Sequence, residues 1–156
     1  MSMIPTVYAI TDREITGLSH AEQVQRLAAG GIRWIQLRDK TASPREFYAH
    51  AMAAIEVARQ LGVVIIINDR VDIALAVDAD GVHVGQDDLP PEKARRLLGP
   101  NKIVGFSTHS IEQAIRADSL PVDYIAIGPI FPTTTKVNPD PVVGVEIIKA
   151  LRPRLS

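Results

Sequence analysis

Val63-Val64-Ile65-Ile66-Ile67 is an unbroken run of β-branched residues, followed directly by Asn68-Asp69-Arg70. β-Branched side chains favour extended backbone, and a strand with no apolar/polar alternation must be covered on both faces. Such cover implies a parallel sheet, because parallel neighbours are joined by crossovers that lay helices over the sheet. Working outward, apolar runs of strand length recur at residues 7–10, 32–37, 81–84, 103–106 and 124–127.

Helix signals fall between these runs. Ser19 and Glu22, Ser43 and Glu46, and Ser110 and Gln113 have the spacing of a capping box, in which a serine and a residue three positions on exchange hydrogen bonds. Pro44 occupies the first helical position of the second. Gly30, Gly62 and Gly99 stand where a left-handed residue is expected to end a helix. The repeat of roughly 25 residues per strand–helix unit is that of a TIM (β/α)₈ barrel, which typically runs to about 250 residues. The pattern therefore predicts an α/β fold of the TIM-barrel family with about six βα units. A helix is expected over 143–151, and a turn-rich loop over 136–141. Residues 1–156 read as a single domain, an incomplete barrel that stops two units short.

Composition narrows the chemistry. The 156 residues are 46% hydrophobic and 22% charged, with a net charge of −1, so no long-range field draws in nucleic acid or an anionic membrane. Any anion site must be a local cluster of basic groups. The absence of cysteine removes thiolate nucleophiles and cysteine-based metal sites, and is compatible with a cytoplasmic location. No stretch reaches the roughly 18 apolar residues of a membrane-spanning helix. Small-molecule substrates are the expected partners, and homo-oligomerisation is compatible with this reading.

In parallel α/β folds, ligands bind at the carboxyl ends of the strands. Polar residues follow each run here. Gln36, Arg38 and Lys40 alternate at the end of the second, and on a strand they would share one face in a row of roughly 13 Å suited to a diphosphate. Asn68 and Asp69 follow the third run and Asp87-Asp88 the fourth. Asp69 and Asp88 leave adjacent strands, so both carboxylates could meet one hard cation such as Mg²⁺. The bland alternatives are a turn at Asn68-Asp69 and a cap for the next helix at Asp87-Asp88. Ser107 follows the fifth run, and Thr133, Thr134, Thr135 and Lys136 the sixth, in a loop suited to an anion. No serine-hydrolase elbow surrounds Ser107, and no dinucleotide fingerprint follows a strand. His83 and His109 are expected to be structural or peripheral.

Taken in order, Tyr8-Ala9-Ile10-Thr11-Asp12, Gln36-Leu37-Arg38-Asp39-Lys40, Asn68-Asp69-Arg70, the stretch from Gly81 to Asp88, Gly105-Phe106-Ser107-Thr108-His109 and the stretch from Gly128 to Lys136 closely resemble thiamine-phosphate synthases. The resemblance implies a (β/α)₈ barrel that joins hydroxymethylpyrimidine diphosphate to a thiazole phosphate, giving thiamine phosphate and diphosphate with help from Mg²⁺. It also implies substrate contacts from the segment Gln36, Leu37, Arg38, Asp39 and Lys40. Asn68, Ser107, Thr133, Thr134, Thr135 and Lys136 complete the implied substrate set. The resemblance further implies that Arg38, Lys40, Ser107 and Lys136 act in the chemistry and that Asp69 and Asp88 are metal ligands.

Relatives of this kind continue into a seventh and an eighth strand, whose turns hold the thiazole phosphate. Open edges are accordingly expected on the first and sixth strands. Two other readings stand beside the synthase. A thiazole tautomerase of the same superfamily tends to carry a histidine near the position of Pro129, and would not need the diphosphate row. A non-catalytic remnant would bind a ligand or partner through its open strands.

Overall fold

The structure is a computed structural model that describes residues 4–134 and 140–155. Six parallel strands form one sheet in sequence order: β1 (Ala9–Thr11), β2 (Trp34–Leu37), β3 (Val64–Asn68), β4 (Gly81–Val84), β5 (Ile103–Thr108) and β6 (Tyr124–Ile127). Helices α1 (Arg13–Thr16) and α2 (His20–Ala29) follow β1, α3 (Pro44–Leu61) follows β2, and α4 (Val71–Ala76) follows β3. After β4, β5 and β6 come α5 (Pro91–Leu98), α6 (Ile111–Ala117) and α7 (Glu146–Leu151). A 3₁₀ turn at Arg152–Arg154 follows α7. The expected helix over 143–151 thus begins three residues later. Among the described residues β1 and β6 each pair with one strand only, as expected of open edges.

The sheet curls into a half-barrel. Its curvature brings the Tyr8 and Tyr124 hydroxyls, one beside each edge, to 3.0 Å from each other. Alternate residues then divide between two cores. Ile35, Leu37, Ile65, Ile67, Val82, Val84, Val104 and Phe106 face the helices, where they pack with Val24, Phe47, Ala54 and Ala58. The opposite positions, among them Trp34, Gln36, Ile66, His83, Ser107 and Tyr124, line the concave interior. Burial on both faces is why the β3 run shows no polar alternation.

Caps fix where the longer helices start. Ser19 and Ser43 each accept a hydrogen bond from the backbone N–H of Glu22 and Glu46, whose carboxylates accept in return from the serine N–H groups. Ser110 accepts from the Gln113 N–H, but the Gln113 side chain accepts from His109 instead, so the third box is displaced by one residue. Gly62 ends α3 in the left-handed conformation, as expected. Gly30 does not: its φ is −78°, and Gly31 takes the positive φ of 90°. Gly99 pairs a φ of 82° with a ψ of 179°, outside the left-handed helical region.

Candidate active site

The carboxyl ends of β2 to β5 open into a cleft of about 560 Å³. Arg38 and Lys40 reach it from the β2–α3 turn, Asn68 and Asp69 from the end of β3, and Asp87 and Asp88 from the turn after β4. His83 and Ser107 enter from within β4 and β5, and His109 follows β5. His83 and His109, expected to be structural or peripheral, both line the cleft.

Charge in the cleft is mixed. Among the described lining residues, Arg38 and Lys40 face the carboxylates of Asp69, Asp87, Asp88 and Asp140. Lys40 pairs with Asp69, and Arg38 lies 3.5 Å from Asp12. Asp69 holds a positive φ of 62°, a conformation Asp tolerates better than most residues. Its N–H donates to the His83 carbonyl at 2.8 Å, which ties the end of β3 to β4. Asp88 does not cap α5, which opens after Pro90. Its carboxylate turns back to accept the Gly85 N–H at 2.7 Å. Burial pushes the Asp88 carboxyl above its usual range against the pull of the Gly85 N–H, and the neighbouring Asp69 carboxylate raises it further. No group of three or more acidic, histidine or cysteine side chains among the described residues is arranged to hold a metal.

Below the cleft, a hydrogen-bonded chain crosses the half-barrel. Ser107 Oγ lies 2.7 Å from His83 Nε2, His83 Nδ1 lies 2.9 Å from the Tyr124 hydroxyl, and Tyr124 meets Tyr8. The Gln36 amide donates to Tyr8 at 3.2 Å. Tyr124 stacks on His83 with ring centroids 5.5 Å apart. The absence of a side chain at Gly105 makes room for this arrangement, since a Cβ there would stand 2.1 Å from the Tyr124 ring. Burial raises the pKa of both tyrosines, so at neutral pH they act as hydroxyls and not phenolates.

The basic row takes a different form from the one expected. β2 ends at Leu37, so only Gln36 of the three lies on the strand, and Gln36 is buried in the interior. Arg38 and Lys40 line the cleft from the turn. Leu37 and Asp39 do not line it. Leu37 is fully buried against the helices, and the Asp39 carboxylate turns outward to Arg13, His20 and His50. Thr133 lines a smaller adjoining cavity of about 180 Å³ with Ser107, His109 and Asp140. Thr134 is exposed and lines neither cavity, while Thr135 and Lys136 lie outside the described residues. Sequence reasoning gave no role to Tyr124, although its register partner Gly105 sits in an otherwise bulky strand, a sign of close approach.

A curled parallel sheet with ionic groups gathered around a cleft at its strand ends defines an α/β protein of the TIM-like class. Residues 7–156 match the thiamine monophosphate synthase family, and the chain belongs to it. It is 45% identical over 152 residues to a thiamine-phosphate synthase of Syntrophomonas wolfei, spanning 97% of this chain and 73% of that protein. It is 49% identical over 148 residues to a thiamine-phosphate synthase of Caldanaerobacter subterraneus, spanning 94% and 69%. The solved thiamine phosphate pyrophosphorylase from Pyrococcus furiosus superposes with a TM-score of 0.83 at 36% identity, covering 96% of this chain and 70% of that one.

Proposed function

We propose that the chain is a transferase that joins hydroxymethylpyrimidine diphosphate to a thiazole phosphate, forming thiamine phosphate and releasing diphosphate. Family membership supports the reaction. The observation that carries its assignment to this cleft is the convergence of Arg38, Lys40, Asp69 and Asp88 at the ends of adjacent strands. As the methylene C–O bond breaks, its electron pair leaves with the diphosphate, where Arg38 and Lys40 stand to stabilise the growing negative charge. The thiazole nitrogen supplies the pair that forms the new C–N bond, so the step needs no protein nucleophile. In this reading Ser107, whose oxygen lies 2.7 Å from His83 Nε2, accepts from that nitrogen and donates its hydroxyl proton to the anion.

Mg²⁺ fits this site. Two carboxylates pressed together, with Asp88 raised by burial and by Asp69, are relieved by a cation, and a cleft with more carboxylates than cations is poorly suited to a bare diphosphate. Asp69 and Asp88 would hold the ion, which when bound neutralises diphosphate charge.

The test is thiamine phosphate formation from both substrates with Mg²⁺. Wild-type turnover is expected, and Arg38→Ala should lower the rate by about a hundredfold or more. Asp69→Asn with Asp88→Asn should do likewise. Asparagine is the replacement of choice, because at Asp69 an alanine would add left-handed strain of roughly 1 kcal/mol. Isomerisation of a thiazole carboxylate phosphate with no condensation, or rates that ignore all three substitutions, would overturn the reading.

A further inference from the structure

The densest polar cluster outside the cleft is centred on a single carboxylate. Asp39 Oδ2 lies 3.2 Å from Arg13 Nη1, 3.4 Å from His20 Nε2 and 3.7 Å from His50 Nδ1. Asp39 Oδ1 accepts from the backbone N–H groups of Thr41 and Ala42 at 3.3 and 3.0 Å. The side chain is 3% exposed. His20 is fully buried, with Nε2 on the Asp39 carboxylate and Nδ1 2.7 Å from the Thr11 hydroxyl, which also donates to the Gln36 carbonyl at 3.3 Å. Thr11 closes the circuit on the turn itself, since its hydroxyl oxygen stands 3.4 Å from the Arg38 N–H.

None of these groups except Arg38 lines the cleft, yet Asp39 lies between the two residues that bring positive charge into it. Lys40 is half-exposed on a flexible stem, and Arg38 stands beyond the last residue of β2. Neither is held by strand pairing. What holds the intervening residue is the cluster, which draws one side chain outward to α1, α2 and α3 and leaves its neighbours facing the cleft.

We propose that Asp39 is a positioning residue that fixes the β2–α3 turn so that Arg38 and Lys40 present their charges together to a diphosphate. This rests on the reading of the cleft as a diphosphate site. It gives Asp39 a role without substrate contact. It also sets two physical effects against each other. Removing a carboxylate close to an anion site strengthens anion binding if only Coulomb attraction matters. Releasing the turn weakens it, because the cations must then be ordered on binding.

The experiment is calorimetric titration of inorganic diphosphate in Mg²⁺-containing buffer into the wild-type protein, Arg38→Gln, Asp39→Asn and the double variant. Asp39→Asn keeps an acceptor for Thr41 and Ala42 but turns an amide N–H₂ toward Arg13 and the histidines. Its affinity is expected to fall about tenfold despite the lost negative charge. In the Arg38→Gln background the same substitution should cost no more than about threefold, because part of what it positions is gone. Should Asp39→Asn fail to fold, Arg13→Gln removes one donor from a partly exposed side chain and should weaken binding in the same non-additive way. Unchanged or tighter binding by Asp39→Asn, or equal losses in both backgrounds, would overturn the positioning role while leaving the diphosphate site intact. Wild-type binding that is absent, or indifferent to Arg38→Gln, would overturn the site reading and the inference with it.

Discussion

Asp88 shows how a part-buried carboxylate in a cleft can work against the fold that carries it. Burial and the Asp69 carboxylate hold its folded pKa above the unfolded value, so the folded state binds more protons between the two. Its contribution therefore becomes unfavourable as pH rises from roughly 4, the unfolded carboxylate value, through the raised one. Asp88→Asn removes this, and its amide oxygen can still accept the Gly85 N–H. Denaturant unfolding should find the variant no more stable than wild type in strong acid and increasingly more stable as pH rises through the window. Added Mg²⁺ should stabilise wild type and leave the variant unchanged. A stability difference that does not vary with pH would show that the Asp88 charge carries no such cost. Asp69, adjacent, holds a left-handed conformation, a second local cost in the same cleft.

Helix starts were legible in the sequence because a capping box is a short-range pattern of donors and acceptors. Ser19 and Ser43 behave as their spacing predicts. Ser43→Ala leaves the Glu46 N–H without its side-chain acceptor at the head of the longest helix, and should destabilise the protein by about 1 kcal/mol in denaturant unfolding. A loss under a few tenths would mean that tertiary packing alone sets the start of α3. Strand ends were less legible. The expected second, third and fifth strands, 32–37, 63–67 and 103–106, compare with Trp34–Leu37, Val64–Asn68 and Ile103–Thr108. Apolar runs stop where polar residues begin, but the backbone stays paired through Asn68 and Thr108, whose polarity serves the strand ends. β1 shows the same bias at both ends. Val7 is apolar but exposed and unpaired, while Thr11 is polar, fully buried and paired with Leu37.

At the scale of the whole molecule, parallel topology and the polar strand ends followed from local sequence, but the contents of the interior did not. Strands buried on both faces hide which alternate residues look inward, so nothing local joined Tyr8 to Tyr124, 116 positions away. Gln36 illustrates the same point: it reads as the first member of an ionic row, and nothing local showed that its amide also meets the buried chain of Tyr8, Tyr124 and His83. That chain links β2, the segment before β1, β6, β4 and β5 through one set of side chains. The Tyr124 hydroxyl is its central member, and Tyr124→Phe keeps the ring that fills the space over Gly105. Removing the oxygen alone takes a partner from both Tyr8 and His83, which should lower stability by about 1–3 kcal/mol, the cost of leaving buried polar groups unpaired. Trp34, the sole tryptophan, reports on the same place, since its ring lies 5.9 Å from Tyr8 and 6.3 Å from Tyr124. Unfolding followed by its fluorescence and by circular dichroism should shift together to lower denaturant with an unchanged slope. A fluorescence transition that precedes the loss of helix would instead show the interior loosening separately from the helical layer, so that the side-chain bridge does not bind the half-barrel into one cooperative unit.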